Sequence, residues 1–290
     1  MDTLTFLLPP LAASLILAGI HAYLGLHVVE RGVIFVDLSL AQIAAFGSAV
    51  AILVPAIGGD PHSTGGYWMS LAFTMVGAVV FSTVRGQRAR IPQEAIIGIC
   101  YAVASAATVV AMSKATSETE HLKDMLVGNI LAVSWDEVGK TAVLYGAIGL
   151  FHYVFRKRFL AISFNHGADA GPSTRWWDFL FYASFGFVVT SSVSIAGVLL
   201  VFSYLIVPSV GAMLYADTIG RRLAVGWAMG TVVSGLGVYL SLLLDLPTGA
   251  TIVCTFGAVL AVMALLRPLL RPAHSVPGLS RGVTPPARSS

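Results

Sequence analysis

Residues 196–214 have the sequence AGVLLVFSYLIVPSVGAML, nineteen positions without a charged side chain. An α-helix rises about 1.5 Å per residue, so a stretch of this length matches the roughly 30 Å hydrocarbon core of a bilayer. Lipid offers the backbone no hydrogen bonds, which favours a helix over a strand for an isolated crossing segment. The stretch is therefore predicted to cross a membrane as a helix.

Eight further stretches share this length and apolar character. The nine run over 5–28, 33–55, 67–84, 94–112, 137–155, 177–193, 196–214, 223–244 and 249–266. Of the 290 residues, 57% are hydrophobic and 11% are charged, more apolar surface than a soluble domain could bury. The sequence predicts an all-α polytopic membrane protein with about nine transmembrane helices. The number falls to eight if the sixth and seventh, separated only by 191–194, form one re-entrant unit.

The basic residues predict which side of the membrane each connection faces. Fourteen of the 17 Lys and Arg residues follow the odd-numbered spans. They are Arg31, Arg85, Arg88, Arg90, Arg156, Lys157, Arg158, Arg175, Arg221, Arg222, Arg267, Arg271, Arg281 and Arg288. The positive-inside rule makes these connections cytoplasmic, with the N-terminus outside and the C-terminus inside. Residues 1–266 are thus predicted to form the membrane domain and 267–290 a disordered cytoplasmic tail.

Several function classes are excluded by absent patterns. There is no G-x-x-x-x-G-K-[ST] run, so the chain carries no P-loop ATPase, and no H-E-x-x-H, G-x-S-x-G or zinc-spaced cysteine pair. The net charge of +3 is spread over loops, without a basic helix interleaved with aromatic residues, so no nucleic-acid partner is predicted. The chain is not predicted to be an enzyme or to bind a cofactor.

Ionisable residues inside the spans are costly in lipid and are therefore candidates for function. They are His21, His27, Asp37, His152, Asp178 and Asp245. The four nearest to predicted span ends are expected at the water interface, whereas His21 and Asp37 lie deeper.

Asp37 shares the second span with Ser39 and Gln42. At 100° per residue, Asp37 and Gln42 are about 140° apart, whereas Ser39 and Gln42 share a face. His21 could approach them from the first span. Two interpretations of Asp37 stay open: it lines a transport path, or it is a buried carboxylate paired with Arg31 or with a backbone donor.

Two further features are candidates. Pro208 interrupts the seventh span and predicts a kink, which membrane helices tolerate where they line a cavity. The outside loop 113–136 carries a cluster of Glu118, Glu120, His121 and Asp124. Such donors suit divalent cations, although a solvated loop followed by a surface helix explains them more simply.

Four stretches resemble the permease subunits of metal-uptake ABC transporters, the group that serves zinc, manganese and iron. They are Arg31-Gly32 with IFVDLSLAQIAAFG (34–47), LVGNILAVSWDEV (126–138), GVLLVFSYLIVPSVGAMLYA (197–216) and LLLDLPTGATIV (242–253). The likeness runs over about 5–266. It implies a helical permease in a bacterial inner membrane that pairs with a second copy and moves a divalent metal.

The resemblance also implies partners. A separate ATPase would bind ATP and contact the cytoplasmic face, and a periplasmic or lipid-anchored binding protein would deliver the metal. The cytoplasmic loop matches the place where such permeases present a coupling helix. Its candidate residues are Asn165, His166, Gly167, Asp169 and Gly171.

The chain departs from the family in the second span. The family has an Asp followed four residues later by a His along the ion path, and alignment on Gly47 puts Leu38 and Gln42 at those positions. The candidate path residues are therefore Asp37, Ser39, Gln42 and His21. The alternative function is a secondary transporter driven by protons or sodium, with Asp37 and His21 as its relay.

Overall fold

The computed structural model describes residues 3–54, 64–84, 91–113, 128, 130–164 and 172–270. Its α-helices are α1 (Thr3–Arg31), α2 (Val36–Leu53), α3 (Thr64–Val84), α4 (Gln93–Met112), α5 (Trp135–Val154), α6 (Arg156–Phe164), α7 (Pro172–Tyr215), α8 (Ile219–Leu244) and α9 (Thr248–Leu270). A short 3-10 helix, Ile130–Ala132, precedes α5. The described residues contain no strand, and the all-α prediction is confirmed. The acidic loop cluster 118–124 and the tail from 271 onward lie outside the described residues.

Seven of the described helices are long and apolar enough to cross a membrane. An eighth crossing is possible where α5 and α6, bent by 77° at Phe155, count as one broken span. Two features account for the difference from nine. The α5 helix meets the criterion only together with α6, and α7 joins the predicted sixth and seventh spans in one helical stretch of 44 residues. The count of nine was therefore an approximation, and the polytopic architecture is confirmed.

The interruption in α7 lies at Gly197 and not at the predicted 191–194. Gly197 has φ +74° and ψ 161°, outside helical geometry, whereas residues 191–194 are helical. At 1.5 Å per residue, 44 residues would extend about 66 Å, twice the hydrocarbon thickness. The break at Gly197 divides this length into 172–196 and 198–215. The prediction placed the break at the serines, but a serine can remain helical because its hydroxyl donates to a backbone carbonyl one turn earlier. Ser191 Oγ, for example, donates to the carbonyl of Phe187 at 2.9 Å.

The break in α7 is covered by a backbone segment from before α5. Gly128 has φ +64°, and a Cβ there would overlap the backbone of Ala196 and Gly197. A few residues later, Ser134 and Glu137 form a capping box that starts α5. The two stretches 126–138 and 197–216 thus meet in space at two glycines.

The core is built around α7. It packs against α1, α3, α8 and α9, while α2 lies between α3 and α4 and also contacts α7. Pro208 is buried in this core, and a Cβ on Gly226 of α8 would contact its carbonyl oxygen at 3.5 Å. Val110 of α4, Val143 of α5 and Leu265 of α9 are more than half exposed. Those outer faces suit lipid or another chain.

Candidate translocation site

The turn between α1 and α2 positions Asp37. Gly32, with φ +67°, and the hydrogen bonds Val33 N–H to Val28 O (3.2 Å) and Val36 N–H to Val33 O (3.1 Å) reverse the chain within a few residues. The N–H of Phe35 donates to Glu94 Oε1 of α4 at 3.0 Å. The start of α2 is therefore fixed to α4 as well as to α1.

Asp37 lies in the first turn of α2 and is 1% exposed. Neither of its carboxylate oxygens has a hydrogen-bond partner among the described residues. The positive end of the α2 dipole offsets part of the cost of such a charge. The remaining desolvation cost of a buried carboxylate ion is several kcal/mol, and a nearby cation or hydrogen-bond donor is needed to offset it. Asp37 can therefore act as a cation ligand without first breaking a bond to the protein.

Ser39 and Gln42 lie elsewhere on the surface of α2. Ser39 is fully buried, and its hydroxyl also lacks a hydrogen-bond partner in the described part of the chain. Gln42 is half-buried, as is Leu38 one turn before it. A spacing of two residues turns Ser39 about 200° from Asp37. The candidate residues of α2 therefore do not form one cluster on a single face of the helix.

His21 of α1 is hydrogen-bonded at both ring nitrogens. Nδ1 lies 2.7 Å from the carbonyl oxygen of Leu17 and so must donate its proton. Nε2 lies 3.2 Å from Ser192 Oγ, which donates to the carbonyl oxygen of Val188 and is 2.5 Å from the hydroxyl of Tyr145. None of these bonds goes to α2. His21 in this state joins α1 to α5 and α7, and its place on an ion path stays a prediction.

A resident metal centre would need several donors in one place. Within the described ranges, no group of three or more His, Cys, Asp and Glu side chains is arranged to hold a metal ion. The candidate donors in α2 would therefore need water, backbone oxygens or another chain to complete the coordination of a passing ion.

The end of α1 holds a buried polar cluster that the sequence analysis missed. Arg31 Nη1 pairs with Asp178 Oδ1 at 3.1 Å, with both side chains at most 2% exposed. Arg31 Nε donates to Ser163 Oγ, and His27 Nδ1 also contacts that hydroxyl, both at 2.8 Å. Arg31 therefore pairs with Asp178 and not with Asp37, the partner that the sequence suggested. The spacing of His27 and Arg31, four residues apart on one face of α1, was the available signal.

The expectation that His27, His152 and Asp178 lie at the water interface was wrong, since each is 1% exposed. The bend between α5 and α6 explains the difference, because it folds α6 back over them. Phe159 of α6 stacks on the His152 ring with 4.0 Å between centroids. His152 is further held by Tyr23 Oη at 3.2 Å and Ser184 Oγ at 2.8 Å.

The predicted coupling residues fall between α6 and α7. Asn165, His166, Gly167, Asp169 and Gly171 lie outside the described residues. The helices that flank them are described and are anchored by Ser163 on one side and Asp178 on the other.

This arrangement of buried helices around α7 can be compared with known proteins. The model of the ABC 3 transport family matches residues 3–267. The chain belongs to the ABC 3 transport family. This ABC 3 permease is 28% identical over 250 residues to a probable iron transport system membrane protein of Haemophilus influenzae, covering 86% of this chain and 89% of that protein. It is 24% identical over 272 residues to the manganese transport system membrane protein MntC of Listeria innocua, covering 91% of each.

Solved structures show the same fold. PsaBC from Streptococcus pneumoniae in complex with Fab matches the ABC 3 permease with a TM-score of 0.71 at 22% identity, over 89% of this chain and 90% of that chain. An inward-facing structure of a putative metal-chelate type ABC transporter matches with a TM-score of 0.64 at 17% identity, over 89% and 85%. The predictions of an ABC-transporter permease, and of a transport subunit instead of an enzyme, are confirmed.

Proposed function

We propose that this permease is the membrane subunit of an ATP-driven importer for a divalent metal ion of the iron, manganese and zinc group. The family match over residues 3–267 carries the proposal. The relatives named for iron and for manganese transport support the substrate class. The working unit is two copies of the permease, a separate ATPase that binds ATP, and a periplasmic or lipid-anchored binding protein. They assemble at the bacterial inner membrane with the N-terminus outside and the C-terminus in the cytoplasm.

We propose α2 as the element that the ion passes. The unpartnered carboxylate of Asp37 supports this role, and the hydroxyl of Ser39 and the amide oxygen of Gln42 offer further contacts. Oxygen donors suit manganese better than they suit zinc, which favours nitrogen and sulfur. Sparse ligation agrees with the task, because an importer has to release the ion on the far side.

The coupling role proposed for 165–171 is supported by its position. The segment joins α6 to α7, and α7 is the helix around which the core is built. An ATPase that moves this segment would act directly on α7. Pro208 lies in the second part of α7, after the break at Gly197, where it can accommodate a change in helix direction.

The test is uptake by the complete system in proteoliposomes. The permease, its ATPase and its binding protein are reconstituted together, and uptake of manganese, iron(II) and zinc is measured with and without ATP. Uptake should require ATP and should stop when the P-loop lysine of the ATPase is replaced. Uptake that persists without ATP and collapses with a protonophore or a sodium ionophore would instead identify a gradient-driven transporter.

A further inference from the structure

Arg31 is the last residue of α1, and its side chain is 2% exposed. It contacts Ser163 of α6 through Nε and Asp178 of α7 through Nη1. Its guanidinium carbon lies 3.8 Å from the ring centroid of Phe181. A buried ion pair contributes little net stability compared with a packed apolar group of similar size, because both ions lose their hydration. Such a pair is more informative about which elements are held together than about how stable the fold is.

One hydrogen bond of this cluster has a fixed direction. An arginine can only donate, so Ser163 Oγ accepts from Arg31 Nε. The single proton of the serine hydroxyl is then available for His27 Nδ1, 2.8 Å away. The last turn of α6 is thus attached to two successive turns of α1 through the hydroxyl of Ser163. A sliding movement of α6 along α1 would break both bonds.

The neighbouring residue extends the attachment to α8. Glu30 Oε2 pairs with Arg222 Nη1 at 3.3 Å, and Arg222 Nε donates to the carbonyl of Ala216 at 3.1 Å. The end of α1 therefore holds α6 and the start of α7 through Arg31, and the turn between α7 and α8 through Glu30.

These contacts lie between the segment 165–171 and the start of α2. Ser163 lies just before the segment 165–171, and Asp178 lies soon after it. Arg31 is followed by the hydrogen-bonded turn that leads within six residues to Asp37. A displacement of α6 or of the start of α7 therefore reaches the start of α2 through one buried side chain.

We propose that Arg31, held by Ser163 and Asp178, is the positioning residue that transmits movement of the cytoplasmic connection between α6 and α7 to the start of α2. This role rests on the proposed function, because it assumes an ATPase that acts at that connection. It assigns Arg31 no contact with the ion. Its loss should separate ATP hydrolysis from transport, with ATP still consumed.

Two mild variants test the role in the reconstituted complex of permease, ATPase and binding protein. Ser163→Ala removes the acceptor for Arg31 and leaves the ion pair with Asp178. Arg31→Lys keeps the charge and loses the Nε donor. The matched control is Ser82→Ala, because Ser82 is also buried but, among the described residues, bonds only within its own helix, to Val79 O at 2.8 Å. The measurements are metal ions moved per ATP hydrolysed, stimulation of ATPase activity by the binding protein, and assembly on size-exclusion chromatography.

Both cluster variants should assemble, and their ratio of metal moved to ATP hydrolysed should fall by at least about threefold, the effect of one lost hydrogen bond. The Ser82→Ala ratio should equal that of the unaltered protein. Unchanged ratios in both cluster variants would overturn the proposal. Loss of assembly in both would also overturn it, since the cluster would then serve only to hold the fold. Absence of ATP-dependent uptake by the unaltered complex would count against the proposed function instead, so the two failures are distinguishable.

Discussion

Gly128 lies against the backbone of Gly197, at the point where α7 departs from helical geometry. Both glycines have positive φ, and a Cβ on Gly128 would overlap the backbone of Ala196 and Gly197. The contact joins the segment before α5 to the middle of α7, which are far apart in sequence. It explains why two separate motifs of the chain are found together in this fold.

Gly128→Ala should destabilise the protein by well over about 2 kcal/mol, because a side chain there adds overlap to an unfavourable positive φ. The measurement is the temperature at which the detergent-solubilised protein loses its monodisperse peak. Gly98→Ala is the control, since a Cβ on Gly98 meets nothing within 4 Å in the middle of α4. That change should be neutral or stabilising by roughly 0.5–1 kcal/mol. Equal melting of the two variants would contradict the close contact at Gly197.

Asp37→Asn should reduce ATP-dependent metal uptake by about tenfold or more, because it removes the charge that the proposed ion contacts. Its melting temperature should not fall, since an unpartnered buried carboxylate does not stabilise the fold. Asp136→Asn is the matched control. Asp136 is 71% exposed beside Lys140, where an ion pair contributes at most about 1 kcal/mol. Full uptake by Asp37→Asn would remove Asp37 from the proposed path.

Leu38→Asp combined with Gln42→His should increase the amount of zinc or manganese that the purified permease retains. The two positions are one helical turn apart and both are half-buried, so their side chains can reach one ion together. The prediction is checked by metal analysis after gel filtration, with Leu38→Asn and Gln42→His as the control pair of weaker donors. Slower transport should accompany tighter retention, because release becomes the difficult step. Identical metal content in both double variants would show that this face of α2 is closed to the ion.

Tyr145→Phe tests whether His21 serves the fold or the path. The change removes the hydroxyl that bonds Ser192, and so loosens the chain that ends at His21. We expect a loss of about 1 kcal/mol in stability, with uptake within twofold of the unaltered protein. The comparison is with His21→Gln, which keeps a donor and an acceptor. If His21→Gln alone abolished uptake at normal stability, His21 would be a ligand.

The helices themselves were predictable from the sequence, because apolar length alone decides whether a segment can cross lipid. The break at Gly197 was not, since it depends on the contact with Gly128, distant in sequence. The serines at 191–194 suggested an interruption there, but their hydroxyls bond to the preceding turn. Periodicity describes one helix at a time and contains no information on such contacts.

The same limit applies to the candidate site. Composition identified Asp37 and His21 as unusual, yet only the fold shows that His21 has partners at both nitrogens while the Asp37 oxygens have none among the described residues. The sequence also suggested an ion pair between Arg31 and Asp37, which are six residues apart. The structure pairs Arg31 with Asp178, 147 residues away, because α6 folds back and encloses that end of α1.

The pairing of Arg31 with Asp178 has a consequence for how the protein is made. A ribosome completes α1 to α4 well before Asp178 is synthesised, so during early insertion Arg31 lacks the carboxylate with which it pairs in the folded protein. It can remain among the anionic lipid headgroups at the membrane surface, where a long arginine side chain reaches water. Only after the start of α7 has been made can Arg31 form this ion pair. Packing of the first half of this protein is therefore completed by its second half.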